Sequence, residues 1–418
     1  MDYSIIINFI LKSLNIKLDQ NFSLDKILSI SIKDLSIFTE IEKEILIENG
    51  YFRLKDFNLL WLNVVPMADE LGLSKNKITD IAASIRLINI LKEKEHNREL
   101  TKGFKFLFMG LDDVGKNSII SYLFQYLVTS DLLQESKKSK ETQRIRTHEL
   151  SIGGAPIQLL EIPGLENFHK IFLQEPKRYL YDIDMVIFVV DASTKENQVD
   201  VFTLFVDLLH VLTSFHLNPP ITVFLNNTDL NTNHFSSWFK NKLESLARTH
   251  FYFHKPVFSE TSMRAISSVQ QAFHDVLNLI VPVNIWLRDP MQKLEEKHKI
   301  SLGVVFAYPS MVMLGKNSFN DSKIPEKWLE IINNVLETNP PLKSIKEYFY
   351  SYDYDNDGEK LVIVLQGFLV EQVEFIFGGI FTSSVEAHAF EFKDFKKDLE
   401  EALFPILDLL KFIHMNYV

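Results

Sequence analysis

The most constraining stretch of this chain runs from Phe104 to Ile120. Phe104 to Met109 is a short apolar run, rich in Phe, with the character of a buried strand. Gly110 to Lys116 then spells G-x-x-x-x-G-K, and Ser118 to Val128 follows with helical periodicity. Strand, glycine loop and helix is the context in which this motif holds phosphate. Gly110 and Gly115 let the backbone curl, so that several N–H groups converge on one concavity. The helix that follows adds the positive end of its dipole at the same place, and Lys116 brings a mobile cation to the outer phosphates.

Further apolar strands carry further motifs. Ile157 to Leu160 ends in Glu161-Ile-Pro-Gly-Leu165, Met185 to Val190 leads into Asp191, and Ile221 to Leu225 ends in Asn226-Asn-Thr-Asp229. Ser259-Glu-Thr-Ser262 comes later. In this order the motifs resemble those of the small GTPases, over about residues 101 to 283. Gly-Leu-Asp-Asp-Val-Gly-Lys resembles the Arf-type phosphate loop, Asn-Asn-Thr-Asp resembles N-K-x-D, and Glu-Thr-Ser resembles the last guanine loop. Glu-Ile-Pro-Gly-Leu is similar to the D-x-P-G-Q of the Rag/Gtr branch. The resemblance implies GTP or GDP as ligand, held by Gly110, Asp113, Val114, Gly115, Lys116, Asn117, Ser118, Gly164, Asn226, Asn227, Asp229, Thr261, Ser262 and Met263. It implies magnesium at Asn117, Thr142 and Glu161, with Thr147 as the rival of Thr142.

The departures from the family pattern fall on one side of this site. The residue after the loop lysine normally offers a hydroxyl to Mg²⁺; here it is Asn117, whose amide oxygen is a hard ligand with a longer reach. Glu161 stands where an Asp is usual. Leu165 stands where Gln orients the attacking water, and its side chain neither donates nor accepts a hydrogen bond. The phosphate cradle is kept, and so is Asp229, which can accept from both the ring N–H and the exocyclic amine of guanine. Asn227 replaces the lysine that packs along the base. These changes favour slow or absent hydrolysis with retained binding. They leave a regulatory switch and a non-hydrolysing assembly scaffold both open, with a DNA-associated NTPase as the third reading.

The expected fold is multidomain α/β: a small all-α module (1–100), a P-loop GTPase domain with a mostly parallel sheet covered by helices (101–283), and a C-terminal α/β domain (284–418). The first region reads as short helices, among them Ile5 to Leu14, Thr39 to Asn49 with Gly50 as its cap, Pro66 to Leu71, and one that starts at Ser74. It resembles the helix-hairpin-helix modules of recombinase-type ATPases, although its first hairpin, Leu35 to Thr39, lacks glycine. With 13 Lys/Arg against 15 Asp/Glu in residues 1 to 100, it reads as a packing or protein-contact module rather than a DNA reader. Lys92 to Lys102 reads as the linker. The C-terminal region reads α-β-β-α-β-β-β-α, from a helix at Asp289 to Lys299, through Ile300 to Met313 with Gly315 at a turn and a helix at Pro325 to Leu336, to a long helix at Phe392 to Ile413. That order resembles a roadblock domain, with a longin domain as the alternative, and implies homo- or heterodimerisation. Asp353 to Gly358 matches half of a calcium loop, but its twelfth position is Val364 where Glu is required, so it reads as a β-turn.

Composition narrows the setting. A net charge of −11 over 418 residues argues against a general nucleic-acid surface, and no DNA partner is expected. There are no cysteines, hence no disulfides and no thiolate metal sites. No apolar run reaches the roughly 18 residues of a membrane span. The chain starts Met1-Asp2-Tyr3, with neither a basic signal region nor a myristoylation glycine. A cytoplasmic protein, at membranes only through partners, is the expectation.

Overall fold

Short polar residues start the N-terminal helices, as their types dictate. In the computed structural model Ser23 caps α1 (Leu24–Leu28). Thr39 caps α2 (Glu40–Glu48) with a complete capping box, its own N–H donating to the Glu42 carboxylate at 2.7 Å while Glu42 N–H donates to Thr39 Oγ1. Gly50, at φ +89°, ends α2: Tyr51 N–H reaches Leu46 O and Gly50 N–H reaches Ile47 O. α3 (Trp61–Leu71) starts five residues before Pro66, where the sequence places the helix, so Pro66 lies inside it. α4 (Lys75–His96) runs well into the expected linker, and Lys92 pairs with Asp25. An ion pair of 2.7 Å joins Lys77 of α4 to Glu42 of α2. These elements form one compact unit, Met1–Thr101, around Ile27, Ile32, Leu35, Leu46, Leu54, Phe57, Ile78 and Ile81.

The structure describes residues 10–12, 14–16, 23–57, 61–96, 104–124, 146–152, 155–162, 164, 179–180, 183–193, 198–230, 234–250, 256–280, 283–298, 300–308, 312–316, 348–353, 360–370, 373–382 and 392–415. The second unit spans Lys102–Val418. Its first sheet is built from β1 (Phe104–Met109), β2 (Arg146–Ile152), β3 (Ala155–Glu161), β4 (Met185–Asp191), β5 (Ile221–Asn226) and β6 (Val257–Glu260), in the order β2-β3-β1-β4-β5-β6. All neighbours are parallel except the β2–β3 hairpin. The described helices of this part include α5 (Lys116–Phe124), α6 (Gln198–Ser214), α7 (His234–Thr249) and α8 (Ile266–Ile280).

The central strands are apolar on both faces because both faces are covered. On one face Leu107, Met109, Val186, Phe188 and Val190 pack on Phe205, Leu208 and Leu209 of α6 and on Phe239 and Leu243 of α7. Phe188 and Phe205 meet edge-to-face at 5.2 Å. The alternate residues Phe106 and Phe108 look the other way, where Phe106 meets Phe273 of α8 at 6.0 Å. Successive connections leave β1 in opposite directions, to β3 on one side and β4 on the other. The crevice at the carboxyl end of β1 is therefore the topological switch point, where ligands bind in open α/β sheets.

Among the described residues the C-terminal elements are α9 (Val283–His298), β7 (Ile300–Tyr308), β8 (Val312–Lys316), β9 (Tyr348–Asp353), β10 (Lys360–Val370), β11 (Val373–Thr382) and α10 (Phe392–Met415). Their sheet is antiparallel throughout, in the order β8-β7-β11-β10-β9. The sequence reading needs two corrections here. Gly315 is not at a turn but inside β8, opposite Val305 beside a register shift. α9 begins six residues before Asp289 and continues through Pro290. Val364 lies buried in β10, opposite Phe349 and Gly379, as a sheet residue rather than a calcium ligand. The segments 325–336 and 354–359 lie outside the described residues. α8 and α9 pack on β8, and buried His274 of α8 donates from Nδ1 to Met313 O at 2.8 Å. Asp398 of α10 receives His298 Nε2 at 2.7 Å and Lys297 Nζ at 2.5 Å, and these partners hold its carboxyl below the usual range.

Candidate nucleotide-binding site

β1 ends at the loop, and the loop turns into α5. Gly115 takes φ +92°, and a Cβ there would overlap the Asn226 amide nitrogen. Both demands call for glycine. Asp113 sits left-handed at φ +58°, a conformation that Asp tolerates better than most residues. Val114 is buried, whereas Asp112, Asp113, Asn117 and Ser118 are exposed. Lys116 folds back over the loop, donating to Gly110 O at 2.9 Å and to Leu111 O at 2.5 Å. Burial pushes its ammonium down to about 8, against the opposing charges of Asp112, Glu161 and Asp113. A cation so placed is dehydrated and waits for anionic partners.

The carboxyl end of β5 locks onto this loop. Asn226 is 1% exposed; its Nδ2 donates to Val114 O at 3.0 Å, and its Oδ1 accepts from Thr261 Oγ1 at 3.2 Å. Thr261 N–H in turn donates to Leu225 O at 2.8 Å. Phosphate loop, β5 end and the loop after β6 thus form one connected network. Ser262 accepts Arg264 N–H on Oγ at 3.1 Å and donates its own N–H to Ser268 Oγ at 2.9 Å. Met263 lies in the turn between them. Asp229 is exposed at the rim, 3.5 Å from Arg264. Asn227, at φ +59°, donates to Asp191 Oδ1 at 3.2 Å. Asp191 also takes the N–H and hydroxyl of Ser193.

On the opposite side Ile162 N–H donates to Phe108 O, which brings the end of β3 beside β1. Gly164 is buried against the loop so tightly that a Cβ would overlap Asp112 N and the Leu111 carbonyl carbon. Glu161 is 2% exposed, and its Oε2 lies 3.3 Å from Nε2 of His148 on β2. The two are diagonal neighbours across the β2–β3 pair. Thr147 is an exposed residue of β2 opposite Leu160. Thr142 and Leu165 lie outside the described residues.

Sequence reasoning singled out the glycines, Lys116, Asn226 and Asp229. It missed His148, Asp112, Asp191, Ser268 and Arg264, which matter only through what they face. Of the expected magnesium donors, Asn117 is exposed at the start of α5, Glu161 has its carboxylate 3.3 Å from His148, and Thr142 lies outside the described residues. Among the described residues no group of three or more His, Asp or Glu side chains gathers as a metal site.

Comparisons with known proteins agree with this geometry. Residues 105–336, more than half of the chain, match the family described as the Gtr1/RagA G protein conserved region. The tRNA modification GTPase MnmE of Lactobacillus acidophilus is 26% identical over 134 residues, covering 31% of this chain and 28% of that protein. MnmE of Lactococcus lactis is 27% identical over 150 residues, covering 34% of this chain and 30% of the relative. The chain thus spans less than a third of the length of these curated relatives. Its phosphate loop, its strand order and the extent of the family match place this chain in the Gtr1/RagA family of G proteins.

Proposed function

We propose that this protein is a guanine-nucleotide-dependent regulatory switch or scaffold that hydrolyses GTP slowly. The observation that carries the reading is the network through Asn226, which joins the phosphate loop to the end of β5 and the loop after β6. The sequence supports the rest: Leu165 stands where the family pattern has the water-orienting Gln. The nucleotide site is assigned to Gly110, Asp113 to Ser118, Gly164, Asn226, Asn227, Asp229 and Thr261 to Met263, with Asp229 as the guanine reader. A competition titration of the purified full-length protein tests it. GTP or GDP should displace a fluorescent guanine nucleotide, and ATP should not; equal displacement by ATP removes the base assignment.

A non-hydrolysing scaffold is the second reading, favoured by the pairing of Glu161 with His148. We divide the chain into a helix-hairpin-helix-like module (1–100), the GTPase domain (101–283) and a roadblock- or longin-like domain (284–418). The five-stranded antiparallel sheet with α9 and α10 supports the last assignment. Association of two such domains, in a homodimer or with a related chain, follows from it. Among the described residues no helix is long and apolar enough to cross a membrane, so any membrane role runs through partners.

A further inference from the structure

We infer that Asp191 of β4 is a positioning residue for guanine recognition, acting through Asn227, an inference that rests on the guanine-nucleotide reading above. β4 carries none of the residues assigned to the nucleotide. Its last residue nevertheless pairs with Asn226 of β5, and the pairing runs one step further, with Ala192 N–H donating to Asn226 O at 2.8 Å. That register sets the Asp191 side chain beside Asn227. Asp191 Oδ1 collects three donors: Ser193 N–H at 2.9 Å, the Ser193 hydroxyl at 2.7 Å and Asn227 Nδ2 at 3.2 Å. The two bonds from Ser193 fix the carboxylate, and the third ties the loop after β5 to it.

What is tied is the turn that aims Asp229. Asn227 has φ +59°, in the sparsely populated left-handed region. Directly after it Thr228 N–H donates to Thr261 O at 3.3 Å, and Thr228–Leu230 forms one 3₁₀ turn with Asp229 in its middle. The left-handed residue therefore sets the direction in which the Asp229 carboxylate leaves the sheet. Asn226 locks the chain to the phosphate loop just before this point, and Asp191 holds the next residue from the neighbouring strand. Guanine demands such a hold. Its ring N–H and exocyclic amine must both meet one carboxylate, and hydrogen bonds weaken steeply with misalignment. Inosine offers the ring N–H without the amine, which a loosely held carboxylate still satisfies.

The test is a competition titration on the full-length protein, in which GDP and inosine diphosphate each displace a fluorescent GDP analogue. The wild type should favour GDP by at least about tenfold, the effect of one hydrogen bond to a carboxylate. Asp191→Ala should narrow that ratio to below about threefold. Asp191→Asn, whose amide oxygen still accepts from Ser193 and Asn227, should retain the wild-type ratio. Asn227→Ala removes the same bond from its other end and leaves the Ser193 bonds in place. It should narrow the ratio alike, with no further narrowing when combined with Asp191→Ala. A ratio that stays at the wild-type value in either alanine variant, even where both nucleotides bind more weakly, overturns this inference and leaves the guanine reading intact. A wild type that binds the two nucleotides equally, or binds neither, overturns both readings.

Discussion

Asn226 donates from its buried amide to Val114 O at 3.0 Å, so the end of β5 holds the phosphate loop directly. The bond spans 112 residues of sequence. Removing it leaves the Val114 carbonyl and the Thr261 hydroxyl without this partner. Asn226→Ala should cost about 1–3 kcal/mol of stability and weaken guanine-nucleotide binding at least about tenfold. Denaturant unfolding and a binding titration read the two effects. Unchanged binding would show that the network does not shape the site.

Lys116 carries a pH signature. Its ammonium is held at about 8 instead of 10.5, so between these values the unfolded chain binds more protons than the folded one. Stability then rises with pH across that window. Relative to Lys116→Met, the nucleotide-free wild type should gain up to about 3 kcal/mol from pH 8 to 10.5. The raised Tyr51 hydroxyl acts the other way but cancels in the difference. A flat difference curve would refute the burial of a charged lysine here.

Asp229 sits at the rim with Arg264 at 3.5 Å, an exposed pair that contributes about 1 kcal/mol or less. Its carboxylate is therefore available to a base. Asp229→Asn should shift preference from guanine toward xanthine nucleotides, by exchange of donor for acceptor at the ring. Equal loss of all purine nucleotides in a competition titration would point to a structural role instead.

On the proposed assignment Leu165 takes the place of the water-orienting Gln, and its side chain neither donates nor accepts a hydrogen bond. Intrinsic turnover should sit at or below the ~10⁻⁴ per second scale of unassisted small GTPases. Single-turnover hydrolysis faster than about 10⁻² per second without a partner would mean that another residue orients water.

The second sheet ends at β8, covered by α8 and α9, and at β9, which has no strand partner on its outer side among the described residues. An open edge invites pairing, and two-fold pairing is the commonest form. The full-length protein should scatter light as a dimer. A monomer at tens of micromolar, with and without nucleotide, would exclude the homodimer and leave a related GTPase chain as partner.

The elements themselves were legible from the chain. The short apolar runs at Phe104, Met185 and Ile221 became central strands of a sheet covered on both faces, which buries such runs, and Thr39 and Gly50 marked both ends of a helix through local hydrogen bonding. Gly110, Gly115 and Lys116 could be singled out because a backbone concavity for phosphate needs those residue types at that spacing, and Asp229 because Asn-Asn-Thr-Asp resembles a guanine-binding motif. Boundaries set by packing were less legible: Pro66 and Pro290 lie inside helices that begin earlier than their local signals suggest, and Gly315 lies within a strand. What no local pattern carries is which side chains meet. Pairing in the sheet put His148 beside Glu161, the fold of β5 onto the loop put Asn226 against Val114, and the end of β3 brought Gly164 against the backbone of Asp112. Those contacts depend on strand register and on chain segments far apart in sequence, so only the tertiary structure decided them.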